Sequence, residues 1–499
     1  MPPDHLPPTL KLLAAMQQNF AGYAQDDCCM VAPSPELREQ IKAELNVLRS
    51  TSGSLVGNLL RAAPKVPIGM NDGLIRPGHD FPLGTAAMTI QRAAADRAPL
   101  RGETRVLVVL VDFEDKPMAE TRQHFEKLFF STGALPDGSV KEYFAEVTNG
   151  LVDIVGEVVG PYRLPQTLQA YANSQSGTGT SQPNARTMAK DAAVIANPEI
   201  DFSQYDNDGD DYVDAFVVVH AGLGAETTGN VNDIWSHKWV LPGGEFNADG
   251  AKVYAYLTVP ENARIGVCCH ELGHLLFGFP DLYDTDYSSE GVGNWCLMGG
   301  GSWLGGGNKP AHPSAWCKLQ QGWASVVEPG NGSLAIEDVK TSHTVYRLWK
   351  NNGAGDEYFL VENRQKISYD QELPGEGLLV WHIDDSIPNN SNEIHPRVAL
   401  VQADDRRALE NGSNRGDAGD PYPGTSGNDS FSFITSPSSR SYAGVDTCVK
   451  LKISGDSGPV IQAEIETFCE VPGDGEPEEE KKGCLAGLMG AALGALGIR

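Results

Sequence analysis

Cationic residues are in short supply. Lysine and arginine number 38 against 66 aspartates and glutamates, a formal net charge of −28. Phosphate backbones and anionic bilayers repel such a chain, which argues against nucleic acid and anionic membrane as partners. Long apolar runs are missing too. Residues 12–16 (L-L-A-A-M) are too few for a signal-peptide core, and residues 485–498 are too short and glycine-rich to read as a membrane span. Cysteine is scarce and odd in number, nine in all, and no C-x-x-C spacing occurs, so a cysteine-built zinc site is not expected. Cys28/Cys29 and Cys268/Cys269 are adjacent pairs, which rarely bond to each other. Cys296 with Cys317, and Cys448 with Cys469, are the disulfides expected if the chain is exported.

What is present centres on H-E-x-x-H at His270-Glu271-Leu272-Gly273-His274. On a helix, positions i and i+4 share a face, so both imidazoles can grip one Zn²⁺ and Glu271 lies near the metal's open position. There a carboxylate can take a proton from water and pass it to a leaving amine. Two satisfied histidines on an ordinary helix are the competing account of so short a pattern. The helix is expected from about 263 to 277, ended by Gly278 and Pro280. Ile265, Cys269, Leu272 and Leu276 face inward, and Cys268 and Cys269 read as small buried apolar residues. A catalytic zinc needs a third protein ligand. Asp281 is the nearest candidate, Asp284 a second, and Glu290 the choice if the ligand comes from a later element. Met298 follows in W-C-L-M-G, either under the metal site or as plain core.

A second chemical cluster is D-N-D-G-D-D-Y-V-D. Asp206, Asp208, Asp210 and Asp214, with the Tyr212 carbonyl, match an oxygen cage for a structural Ca²⁺. Asp211 stands where an EF-hand has glycine and Val217 where it has glutamate, so this is no helix–loop–helix sensor. Asp404, Asp405, Asp417 and Asp420 form a further acidic loop, as consistent with solvated chain as with a second Ca²⁺.

The chain divides by pattern. Residues 1–100 read as an N-terminal helical and extended pro-segment, with Ser34-Pro35-Glu36 starting a helix and Leu37, Ile41, Leu45 and Leu48 at helical spacing. Residues 101–329 alternate strands and helices: strands at 106–113, 152–159 and 212–220, helices at 125–130, 139–147 and 185–196. Residues 330–469 carry short alternating runs at 344–349, 358–362, 378–383, 398–402, 449–453 and 460–465, expected as an all-β sandwich. Residues 470–499 are an acidic linker and a short apolar tail, with two readings, plain chain and a surface or membrane anchor.

H-E-L-G-H, then G-F-P-D-L-Y-D and G-N-W-C-L-M-G-G-G-S-W, resembles the immune inhibitor A family of secreted zinc metallopeptidases. So do L-V-D-F-E-D-K-P (110–117), S-V-K-E-Y-F-A-E-V-T-N-G (139–150), N-D-I-W-S-H-K-W (232–239) and G-L-L-V-W-H-I-D-D (377–385). The resemblance covers roughly residues 60–468. It implies an α+β architecture, a metzincin-like catalytic domain, endopeptidase activity on proteins or peptides, secretion and an inhibitory pro-segment. Carried over, His270 and His274 are zinc ligands, Glu271 the general base and Met298 the Met-turn residue. One departure stands out. Leu275-Leu276-Phe277 adds a residue before Gly278, so Asp281 follows His274 by seven positions where the metzincin pattern has its third ligand at six. In similar peptidases a pro-segment aspartate caps the zinc; Asn71-Asp72-Gly73 makes Asp72 the match. Two other readings compete. One is a catalytically silent, Ca²⁺-stabilised binding protein on a peptidase scaffold; the other is a zinc hydrolase of small substrates.

Overall fold

Six consecutive residues, Val106 to Val111, are fully buried, and their alternation explains how. Val106, Val108 and Leu110 face one hydrophobic core; Leu107, Val109 and Val111 face another on the opposite side. A strand apolar on both faces must sit mid-sheet between two layers. The computed structural model describes residues 29–59 (side chains to residue 47), 81, 82, 85, 89 and 98–469. The Asp72 expectation, and those for the tail beyond 469, lie outside these residues.

In chain order the first sheet takes β1 (Cys29–Met30), β2 (Gly102–Asp112), β3 (Val152–Arg163), β4 (Phe216–His220), β5 (His237–Val240) and, after the hairpin β6–β7 (Phe246–Ala248 and Ala251–Val253), β8 (Ala255–Pro260). Their order across the sheet is β1-β5-β8-β4-β2-β3. β2, β3, β4 and β8 run parallel, whereas β5 is antiparallel to β8 and β1 antiparallel to β5. α1 (Pro35–Leu59) follows β1, with the Leu37 N–H bonded to Ser34 Oγ and Leu37, Ile41 and Leu45 buried. α2 (Arg122–Phe130) and α3 (Val140–Val147) are capped by Thr121 and Ser139. They pack in the core that also holds α5 (Ile265–Phe277). α4 (Ala185–Ala196) starts at an Asn184–Thr187 capping box and lies in the opposite core.

The later strands make two sheets. β9 (Ser325–Val327), β11 (Thr344–Leu348), β12 (Glu357–Arg364), β13 (Gly377–Asp384) and β14 (Val398–Val401) form one, in the order β14-β13-β12-β11-β9. β10 (Gly332–Glu337), β15 (Ser430–Phe431), β16 (Lys450–Ser454) and β17 (Val460–Glu466) form the other. Phe359, Val361, Leu378 and Val380 of the first share a core with Ile336, Leu451, Ile453 and Ile461 of the second. Alternate residues of that same first sheet, Tyr358, Leu360, Leu379 and Trp381, enter the core that holds α5. The packing therefore runs across the expected 329/330 boundary. No helix among the described residues is long and apolar enough to cross a membrane.

Candidate metal centre and active site

α5 is buried on every face, so each polar group on it must be satisfied inside the protein. Gly278 ends it in the left-handed region (φ +65°), where glycine is favoured. The Phe279 N–H then bonds back to the Gly273 carbonyl. That turn matters because His274 Nδ1 donates to the Phe279 carbonyl at 2.5 Å, while His270 Nδ1 donates to the Leu297 carbonyl at 3.0 Å. A carbonyl only accepts, so each Nδ1 carries a proton, and in the neutral ring each Nε2 then presents a lone pair. The two Nε2 atoms are 3.0 Å apart, and Asp281 Oδ1 lies 3.2 Å from both. With both rings neutral, as metal ligands must be, the three atoms converge as acceptors with no donor among them. A tetrahedral zinc with bonds of about 2.0–2.1 Å spaces its ligand atoms about 3.3 Å apart, so the donor set fits that ion.

The extra residue before Gly278 does not carry Asp281 out of reach. The Leu282 N–H bonds to the Met298 carbonyl, which holds this loop against the turn below. Met298 is fully buried there; a Cβ on Gly273 would come 2.8 Å from its Sδ. The structure does not bring Asp284 or Glu290 to the histidines as ligands. Asp284 instead accepts the N–H groups of Asp286 and Ser289 and the Ser288 hydroxyl. Glu290 is claimed by Arg38 at 2.7 Å and by Lys42. Cys268 and Cys269 are buried thiols whose ionisation burial pushes upward, in keeping with a packing role. The expected Cys296–Cys317 disulfide is corrected: both are free buried thiols, and Cys296 Sγ accepts the N–H groups of Met298 and Ser314. Cys448 and Cys469 are each disulfide-bonded.

Glu271 is fully buried, and burial pushes its carboxyl well above the usual range. A dication beside it would reverse that shift. Its Oε1 accepts the Val31 N–H at 2.9 Å; Oε2 has no hydrogen-bond partner among the described residues. The segment around Val31 is bound at each step. Tyr283 Oη donates to the Met30 carbonyl (2.7 Å), Trp235 Nε1 to that of Val31 (2.9 Å) and Trp303 Nε1 to that of Ala32 (2.8 Å). Ahead of it, Cys29 Sγ, a His274 ring nitrogen and an Asp281 oxygen all lie within 4.8 Å of one another. Sequence reasoning weighed Cys29 only as half of an adjacent pair and did not single out Tyr283, Trp235 or Trp303.

Among the acidic loops, Asp206, Asp208 and Asp210 bring carboxylate oxygens within 4.8 Å of one another. Asp206 shapes the turn by accepting the N–H groups of Gly209, Asp210 and Asp211. Asp214 accepts from the Asn207 N–H at 2.5 Å, and Tyr212 donates its own N–H to Asp210. Asp404, Asp417 and Asp420 form a similar cluster, without Asp405. Asp420 accepts from Trp295 Nε1 at 3.1 Å, and burial raises its carboxyl to about 7.

Residues 96–326 match the family described as immune inhibitor A peptidase M6, catalytic domain. The pre-pro-metalloprotease PrtV of Vibrio cholerae serotype O1 is 31% identical over 271 residues, 43% of this chain and 29% of that protein. Immune inhibitor A of Bacillus thuringiensis subsp. alesti is 30% identical over 283 residues, 45% of this chain and 41% of that protein. The matched stretch thus spans less than half of either relative.

Proposed function

We propose, from the match of residues 96–326 to the immune inhibitor A peptidase family, that this chain is a zinc endopeptidase made in a latent form. The observation that carries the reading is the meeting of three ligand atoms, two imidazole Nε2 and one carboxylate oxygen, within 3.2 Å of one another. His270, His274 and Asp281 would hold the metal. Zinc bound there supplies Lewis acidity, which polarises a scissile carbonyl and acidifies water. Glu271 takes the proton from that water and delivers it to the leaving nitrogen. The carbonyls of Leu297 and Phe279 keep both imidazoles in the ligating tautomer, and Met298 supports the helix beneath them. With β1 withdrawn, β5 becomes the sheet edge along which an extended peptide can pair, which favours protein or peptide substrates over small ones. The fold reading that goes with this is a metzincin-like catalytic domain followed by a β-sandwich, with release to the outside of the cell or its surface.

The test is hydrolysis of a labelled protein after limited trypsin treatment, with trypsin then blocked. Wild type is expected to turn over substrate and to stop on chelation. Glu271→Gln is expected to keep its metal and lose roughly 10²–10⁴-fold in rate. Equal turnover by the two chains would sink the assignment. Reach of Asp281 to both imidazoles removes the main support for a silent binding scaffold.

A structural Ca²⁺ belongs to the same reading, held by Asp206, Asp208, Asp210 and Asp214 with the Tyr212 carbonyl. Millimolar Ca²⁺ is expected to raise the melting temperature of wild type by several degrees and that of Asp206→Ala by much less. Equal gains in both chains would remove this site from the account.

A further inference from the structure

Resting on the zinc reading, we infer that Cys29 holds the enzyme latent: its thiolate is the metal's fourth ligand, and Met30–Ala32 fills the cleft in place of substrate. Turnover needs an open coordination position and an unengaged base. Two residues, separated by one, occupy both. Cys29 Sγ lies within 4.8 Å of the His274 and Asp281 ligand atoms, and the Val31 N–H is bonded to Glu271 Oε1. The main chain between them is fixed by pairing with the sheet edge, Cys29 opposite Lys238 and Met30 opposite His237. Tyr283, Trp235 and Trp303 then hold three successive carbonyls, so the thiol is delivered by a strand bound along its length. A thiol tucked into apolar packing is the plain alternative. Against it stands the company the sulfur keeps, an Asp281 carboxylate oxygen and a His274 ring nitrogen, at a carboxylate whose buried Oδ1 receives no hydrogen bond among the described residues. Binding releases the thiol proton to solvent, and activation exchanges the sulfur for water.

The test uses the full chain loaded with Co²⁺ in place of zinc. Wild type is expected to show a near-ultraviolet sulfur-to-cobalt charge-transfer band. Cys29→Ala and Cys29→Ser are expected to bind one equivalent of cobalt without it, and to show at least tenfold higher proteolysis before any trypsin treatment. Identical bands in wild type and variants, each with one equivalent bound, would overturn the role of Cys29 and leave the zinc reading standing. Failure of every chain to bind metal would overturn the zinc reading itself. If neither variant folds, wild type decides alone: metal loading must protect one thiol from alkylation and chelation must expose it. Unchanged thiol reactivity overturns the inference.

Discussion

At the scale of single residues, the histidine pair shows how much depends on partners without side chains. Spacing in H-E-x-x-H is enough to place two imidazoles on one face of a helix. Which nitrogen each presents is decided by the carbonyls of Leu297 and Phe279, and those depend on a turn and a loop. Gly266 is a second case. A Cβ there would overlap the Ser302 carbonyl, because α5 lies against that loop with no gap. Gly266→Ala is expected to cost at least about 2 kcal/mol despite alanine's better helix propensity. Urea denaturation of both chains checks this; an unchanged midpoint would mean the loop yields freely. Asp281 was legible as the nearest acid after the helix. Cys29 was not, because its neighbours are set by folding: the adjoining contact, Val31 to Glu271, joins residues 240 apart.

Elements with strong local signals were legible nearly to the residue. α4 runs from Ala185 to Ala196 as its pattern indicates, and the cap at Ser139 starts α3. β5 was missed because His237-Lys238-Trp239-Val240 has neither the length nor the alternation of a typical strand; it is defined by pairing with β8. β10 was missed for a similar reason, its residues being mostly exposed. α1 presents its own question, namely what fastens it. Arg38 Nε bonds Glu290 Oε2 at 2.7 Å, and an Arg38 NH group reaches the Ser289 carbonyl at 2.7 Å, with both side chains buried. Lys42 and Arg415 share the same carboxylate. Arg38→Ala leaves Glu290 under-compensated, at a cost of about 3 kcal/mol. The expected result is faster tryptic cutting before residue 100 and some proteolysis without activation. Cutting at the wild-type rate would show that α1 is fastened elsewhere.

For the molecule as a whole, pH is the informative variable. His220 and His237 are fully buried, and burial lowers both to about 4 from an ordinary 6.5. Unfolded chain therefore binds protons at these sites between pH 6.5 and 4 that folded chain refuses, and stability falls as pH falls through that window. Each site is worth on the order of 3 kcal/mol. Below it, Asp370 and Glu362 add to the loss, since the neighbouring cations hold both carboxylates ionised against burial. Of those cations, Lys318 ties the first of the later sheets to the helical segment before it, Nζ to Glu362 at 2.9 Å, and Arg364 holds the loop after β12, Nε to Asp370 at 2.7 Å. Denaturant midpoints measured in chelator at pH 7.5, 5.5 and 4.5 should drop stepwise; a level series would contradict the buried neutral state of the two histidines. The broad division into α/β and all-β parts was legible from the spacing of apolar residues. Their shared core was not, because a strand reads the same whether its second face meets water-excluding neighbours from its own domain or from the next.

β1 has a consequence that outlasts latency. While it is paired, the outer edge of β5 offers no unpaired backbone to other molecules. Once the N-terminal segment leaves, that row of N–H and C=O groups is open, and an open edge is a template for any extended chain, a second copy included. Removal of the segment thus trades a guarded protein for a sticky one. On the proposed reading, the chain without its N-terminal segment should be monomeric only while dilute or occupied by peptide.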